Sequence, residues 1–385
     1  MFNYYGYFAE NKTSINKFMR LIQVTASQVW RGHEQKIIYL YEAFRDLGYV
    51  EDQWIVCPKD SEVYEIASQK KMQVIGLDFN GEYDLKFAKS LKNISEEKNA
   101  DVVFIHNSQS HTLAVLASLF YGMKIPMALC RTLIKRVDTN FFRKWKYNYK
   151  GIKKIICVSQ PVVDVLKFAV KDHSRLSVVG SVTDIKKFPK QEKTGLLHKE
   201  FNIPKDYKII GNIAEFTGFK DHYTWVDTVE ILVKEKKIKA KFILVGKGKL
   251  EGEIRQYVEE KGLTDHIIFA GFRKDVPQIL PEFDLFLFTS NNEPTGGVLL
   301  ESYACKVPIV AANAGGIPEV IVENETGLLA EVGNPKSFAD KTIQLLEDKP
   351  LQEKFKTNGY QYLLDNFTKD VIAKKMFDEL AEIIE

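Results

Sequence analysis

The segment NEPTGGVLLESYACKVPIVAANAGGIPEV, Asn292–Val320, places the carboxylates of Glu293 and Glu301 and two glycine pairs at spacings that suit the binding of a phosphorylated ligand. Leu285–Phe288 reads as a buried strand, and Thr289–Thr295 as the polar loop at its carboxyl end. Gly296 and Gly297 then open a helix, so unsatisfied N–H groups and the helix dipole make an anion site that the glycines let a ligand approach closely. Glu293 stands in the loop just before this site and Glu301 one turn inside the helix, with seven residues between them. A carboxylate beside a phosphate is unfavourable unless it accepts hydrogen bonds, and ribose or sugar hydroxyls are the natural donors. Gly315 and Gly316 end the following strand, at the start of another helix, and are expected to shape the same cleft.

The elements that must hold these residues are short apolar runs alternating with amphipathic segments, the pattern of parallel α/β architecture. In the first half strands are expected at 21–25, 54–57, 74–77, 102–106, 126–130, 155–158 and 176–179. Helices are expected at 34–47, 84–98, 112–120 and 160–170. The charged stretch 184–206 reads as a linker. The pattern then restarts, with strands at 208–213, 242–245, 267–270, 285–288 and 309–312. Helices fall at 224–236, 251–261, 276–280, 298–304 and 336–346. Two Rossmann-like, doubly wound domains follow, whose ligands sit at the carboxyl ends of strands. His106, His111 and Arg131 end strands of the first half and are cleft candidates. His106 is read as structural, and His111 either caps its own helix or contacts a sugar. The amphipathic segment 368–385 comes after the second domain is complete, so its apolar face needs another surface.

Composition narrows the class. The chain has 385 residues, 45% apolar and 27% charged, ordinary for a globular protein of two domains. No apolar run is long enough to span a bilayer, and the amino-terminal twenty residues lack the pattern of a secretory signal, which points to the cytoplasm. The four cysteines have no metal spacing and read as buried thiols. A net charge of +3 hides an asymmetry: residues 1–200 carry 31 Lys and Arg against 21 Asp and Glu, and the remainder 23 against 30. Segment 131–154 interleaves basic and aromatic residues. It reads either as a surface for anionic membrane or as a solvated helix with aromatics in the core; no nucleic-acid motif accompanies it.

The Glu-x7-Glu pair, with Gly296 between and ESYACKVPIVAANAGGIPEV running on from its second member, resembles the signature of family 4 retaining glycosyltransferases of the GT-B fold. Val245-Gly246-Lys247-Gly248 is similar to that family's V-G-x-G turn, and Ala270-Gly271-Phe272-Arg273 to its G-F turn beside the nucleobase. ENETGLLA at 323–330 and VVGSVTDIKKF at 178–188 also fit. TASQVWRGHE at 25–34 resembles the glycine loop of the family, in the W-R-G form of lipopolysaccharide-type sugar transferases.

The resemblance implies two Rossmann-like domains across a cleft, 1–190 for the acceptor and 191–366 for a nucleotide-sugar donor, with helix 367–385 returning to the first. Transfer to a glycan or glycolipid hydroxyl follows, in cell-surface polysaccharide or lipopolysaccharide synthesis, with no cofactor beyond the donor itself. Glu293 would position the sugar, Lys220 neutralise the departing diphosphate, and Glu301 hold the ribose. Gly296, Gly297 and Val298 would offer N–H groups, while Gly246, Gly271 and Phe272 flank the donor and Gly32 approaches it from the first domain. His111 is the catalytic candidate of that domain, and His33 and Arg131 the contacts to acceptor or phosphate. There is no Asp-x-Asp motif, so neutralisation of the diphosphate is expected to need no obligatory metal.

One position departs from the pattern. The family has an Arg five residues before the Lys, and this chain has Glu215 there. The leaving group would then rely on Lys220 and the helix N-terminus, with Lys247 or Arg273 as further candidates, and Glu215 itself is read as pointing away into a salt bridge with a lysine. The competing activities are a nucleotide-sugar 2-epimerase on the same fold and a non-catalytic glycan or nucleotide binder. Nucleotide release with and without acceptor separates them.

Overall fold

The computed structural model describes residues 19–30, 32–137, 140–188 and 193–384. Its first sheet holds seven parallel strands: β1 (Met19–Val24), β2 (Val50–Pro58), β3 (Val74–Leu77), β4 (Val102–Ile105), β5 (Met127–Arg131), β6 (Ile152–Cys157) and β7 (Leu176–Val178). They lie in the order β3-β2-β1-β4-β5-β6-β7. The second holds β8 (Lys208–Ile213), β9 (Ala240–Val245), β10 (Ile267–Gly271), β11 (Leu285–Phe288), β12 (Ile309–Ala312) and β13 (Leu328–Ala330), in the order β10-β9-β8-β11-β12-β13. Both sheets reverse direction beside their first strand, between β1 and β4 and between β8 and β11. Such switch points open the crevice in which α/β sheets bind ligands.

The strands form where they do because nearly every one is an apolar run with both faces covered by helices. β4, β5, β11 and β12 are buried at every residue. Where the sequence shows no clear apolar stripe, elements escape notice. Helices Glu62–Gln69 and Lys349–Asn366 and strand β13 were not expected from pattern alone. Lys349–Asn366 buries only Phe355, Gly359 and Leu363, and Gly359 is there because a Cβ would strike the Tyr303 ring.

The stretch read as a linker is less loose than its charge suggests. Phe188, Leu197 and Ile203 join the second core, and Glu282 accepts hydrogen bonds from Thr194 and Gly195 that fasten the chain to it. The expected boundary at 190/191 lies outside the described residues. The final helix, Lys369–Ala381, crosses back to the first sheet. Ile372, Met376, Phe377 and Leu380 pack with Leu21, Leu40, Phe44 and Phe104, and Lys369 pairs with Glu42 at 3.2 Å. Removing this helix would strip four large apolar side chains from the first core, each worth about 1.5–3 kcal/mol of burial.

Candidate active site

The switch point of the second sheet brings together the loops after β8 and β11. Thr289 and Ser290, the first residues beyond β11, stitch them: Thr289 Oγ1 donates to Asp221 O at 2.9 Å and Ser290 Oγ to Phe219 O at 2.9 Å. These bonds set Lys220 against the Glu293 carboxylate, and the two form an ion pair in which Ser290 Oγ also reaches Glu293 Oε2, at 3.1 Å. Lys220 Nζ also lies 5.2 Å from the centre of the Phe288 ring. Both charged side chains are largely buried, at 16% and 11% side-chain exposure, so the pair sits in a low-dielectric setting.

Beside the pair, helix Gly297–Ala304 begins. Gly296 caps it with φ 74°, a left-handed conformation that glycine takes without strain. The N–H groups of exposed Gly297 and partly buried Val298 precede the first intrahelical acceptor and are left for a ligand. Gly315 and Gly316 hold the loop from the other side: Gly316 N donates to Glu293 O at 2.8 Å, and a Cβ on either would collide with the backbone of Glu293 or Pro294. One turn inside the helix, Glu301 is partly buried, faces Tyr39 and Lys187, and burial pushes its carboxyl up to about 7. The turns carrying Gly246 and Gly271 adjoin, with Gly246 N donating to Gly271 O at 2.8 Å. Phe272, 59% exposed, lies there under the Lys247 ammonium, a flat apolar face at the edge of the same crevice.

Two expectations about charge need correction. Arg273 is not free to assist a diphosphate, because Glu200 and Asp275 already pair with it. Glu215 is exposed and makes no ion pair among the described residues, so it does not point away to a lysine.

In the first sheet the switch point opens a cavity of about 320 Å³ lined by the loops after β1, β4 and β5. Arg131 and His33 both line it; Gly32 is exposed at the start of helix Gly32–Asp46, and the neighbouring Arg31 lies outside the described residues. His111 does not line it. Its side chain is 0% exposed, its Nε2 is 3.2 Å from Lys146 O, and its ring stands edge-on to Tyr147, which is itself part of the cavity wall. Asn107, not His111, caps its helix, so His111 supports the wall rather than reaching a sugar. His106, read as structural, is held by Gln23 Oε1 at 3.0 Å and also lines the cavity. Residues that the sequence reading passed over are Ser290, Thr289, Tyr39 and Lys187. Their only signal was position, small hydroxyls at the end of a buried strand and a cation in the charged linker.

The basic aromatic stretch divides. Lys146 and Tyr147 are buried, and Lys154 pairs with Glu379 of the last helix at 2.8 Å and with Glu382, just beyond it, at 2.5 Å. Phe141 is 86% exposed, Leu133 and Phe168 are also exposed, and Lys135, Arg136, Arg143, Lys144, Lys150 and Lys153 stand at the surface, Arg136 over the Phe168 ring at 4.1 Å. Among the described residues no helix is long and apolar enough to cross a membrane.

Comparison with known proteins places this geometry in context. A profile described as Glycosyl transferases group 1 matches residues 194–362. N-acetyl-alpha-D-glucosaminyl L-malate synthase of Bacillus anthracis is 30% identical over 298 residues, 76% of this chain and 77% of that protein. The UDP-Gal:alpha-D-GlcNAc-diphosphoundecaprenol alpha-1,3-galactosyltransferase of Escherichia coli is 23% identical over 70% of this chain and 72% of its own. Among solved structures, a glycosyltransferase from Rickettsia africae superposes with TM-score 0.83 at 20% identity, covering 96% of this chain and 99% of that one. Anabaena HepE in complex with UDP-glucose superposes with TM-score 0.81 at 20% identity, over 94% and 100%. At these identities the structural likeness is one of fold, the two-domain GT-B architecture.

Proposed function

We propose, for a chain that belongs to the glycosyl transferases of group 1, that it moves a sugar from a nucleoside-diphosphate sugar to a hydroxyl of a glycan or glycolipid in cell-surface polysaccharide synthesis. The observation that carries the reading is the Lys220–Glu293 ion pair beside the free N–H groups of Gly297 and Val298, at the switch point of the second sheet. A diphosphate there meets a cation, a helix dipole and two N–H donors. Glu293 Oε1, with no hydrogen-bond partner among the described residues, accepts from a sugar hydroxyl, and Glu301 from the ribose. Gly246, Gly271 and the Phe272 face receive the base, and Gly32 approaches from the first domain.

Transfer retains configuration. The acceptor oxygen bonds to the anomeric carbon on the face the diphosphate leaves, the bond from that carbon to the diphosphate oxygen breaks, and the acceptor proton passes to the departing phosphate. Lys220 and the helix N-terminus stabilise the charge that develops. No metal is called on in this scheme. The names of two relatives, with L-malate and a diphospholipid as their other substrates, support an acceptor held by the first domain, at its cavity. His111 has no part in this reading.

The exposed Phe141, Leu133 and Phe168 among six surface cations support docking on an anionic lipid surface, where lipid-linked acceptors lie. Vesicles containing phosphatidylglycerol should sediment the protein at low salt, and Phe141→Ser with Lys144→Gln should release it. Absence of any sedimentation removes the membrane from the account.

The transfer reading is tested by nucleotide release from UDP-, GDP- and ADP-sugars, with and without lipid-linked and free glycan acceptors. Release that depends on acceptor supports it. Interconversion of the donor sugar without acceptor would indicate an isomerase instead, and binding without turnover a non-catalytic protein.

A further inference from the structure

The first-domain cavity contains a charge that no ion pair among the described residues balances. Arg131 is 8% exposed, yet among the described residues it makes no ion pair. Its Nη2 donates to Lys135 O at 3.1 Å, and its Nε, also buried, has no partner. A guanidinium withdrawn from water with one neutral acceptor costs several kcal/mol that a structural role would normally recover through a carboxylate. The other cations nearby bring no compensating charge. Lys36, buried, reaches only Gly180 O at 3.5 Å, and Lys146 is taken up by Glu82, Ser108 and Thr112.

Three other features of the cavity favour negative charge. The helix Ser108–Tyr121 begins at its wall, where Ser108 and Gln109 present N–H groups that no preceding turn can accept. Among the described residues neither ring nitrogen of His33 meets a partner of hydrogen-bond geometry, although the His106 backbone interacts with it; burial and then Lys36 depress its pKa to about 4, so the ring is neutral. Glu34 is the only carboxylate among the lining residues, and it has a partner of its own.

We infer that the cavity recognises an oxyanion carried by the acceptor, a carboxylate or a phosphate, with Arg131 as the residue that selects it and the Ser108–Tyr121 helix terminus and His33 completing the cradle. The inference rests on the reading above that the first domain holds the acceptor. It restricts that acceptor to acidic molecules: an organic acid, an acidic sugar or a phosphorylated lipid. Neutral glycans are excluded as free acceptors.

The test uses the full chain at constant ionic strength. Binding of UDP, GDP and ADP is measured first, and the nucleotide that binds is kept at saturation to fill the second-domain anion site. Inorganic phosphate, succinate and glucose are then titrated by calorimetry. One of the two anions should bind and glucose should not. Phosphate outbinding succinate assigns the group to a phosphoryl source, and the reverse to a carboxylate. Arg131→Gln should weaken the anion about tenfold or more, as expected for loss of a charge-assisted contact, and leave the nucleotide unaffected. Should Arg131→Gln not fold, Thr132→Asp decides: it sets a carboxylate on the cavity rim, at a side chain with no hydrogen bond among the described residues, and should weaken the anion likewise. Anion binding that persists in the folded variants, or that glucose matches, overturns the inference. If no nucleotide binds, the donor reading fails on its own, and the anion titration is run in Lys220→Ala, whose second-domain site is disabled.

Discussion

Lys220 and Glu293, seventy-three positions apart, neutralise one another in the protein, so the cation meant for the diphosphate is already engaged by the carboxylate meant for the sugar. A donor that binds here must divide the pair, giving Lys220 a phosphate and Glu293 a hydroxyl.

That competition predicts an opposite effect on binding and on turnover. Glu293→Gln removes the rival anion, so a nucleoside diphosphate should bind several-fold tighter, about 1 kcal/mol for a partly screened pair. Sugar transfer should fall by about a hundredfold, because a positioning contact is lost. Calorimetry showing weaker diphosphate binding in this variant would mean that the ion pair organises the site rather than competing for it.

Glu301 predicts a pH dependence. Its carboxyl is raised from 4.5 to about 7 by burial, which Lys187 only partly offsets, so the folded protein favours the protonated form. Stability is then complete below pH 4.5 and declines as pH rises to about 7. Glu301→Gln should melt higher than the parent at pH 8 and no higher at pH 4. Ribose hydroxyls donate to the ionised form, so nucleotide binding at pH 6 should expel a proton, visible as a binding heat that varies with buffer. A heat independent of buffer would take Glu301 away from the ribose.

Glu215 lies exposed in the loop after β8, adjoining the Gly246 turn, with no ion pair among the described residues. Glu215→Arg should therefore tighten diphosphate binding by about 1 kcal/mol after solvent screening and leave the melting temperature unchanged. A lowered melting temperature with unimproved affinity would show that the carboxylate has a structural task.

Gly316→Ala asks whether the Glu293 loop must be held this closely. A Cβ there collides with Pro294 O and would push the loop off the helix start. Turnover should fall at least tenfold with a modest loss of stability, as a displacement of about 1 Å in a catalytic loop implies. Unchanged turnover would mean that the loop has room to give.

The sequence was most informative where burial dictates residue type. β4, β11 and β12 are apolar throughout, and their ends were predicted to within one residue. β13 has three residues in a turn-rich stretch, too short for a period to show. At the site, Glu293, Gly296 and Glu301 were legible because they share one strand–loop–helix unit. The Lys220–Glu293 pair was not, since it depends on the β8 and β11 loops meeting through Thr289 and Ser290. Charge alone misled at Arg273, whose acids come from Glu200 and Asp275. His111 misled for the complementary reason: a histidine soon after a strand suggests a cleft, and only packing under Tyr147 shows it to be core.

The central claim is that the second-sheet switch point binds the donor diphosphate. A crystal structure of the chain with UDP, GDP or ADP, whichever binds, tests it most directly. The account predicts a diphosphate in contact with Lys220 Nζ and the N–H groups of Gly297 and Val298, with the ribose hydroxyls on Glu301 and the Lys220–Glu293 pair opened. A nucleotide bound elsewhere, or bound there with that ion pair intact and Lys220 touching no phosphate oxygen, would contradict it.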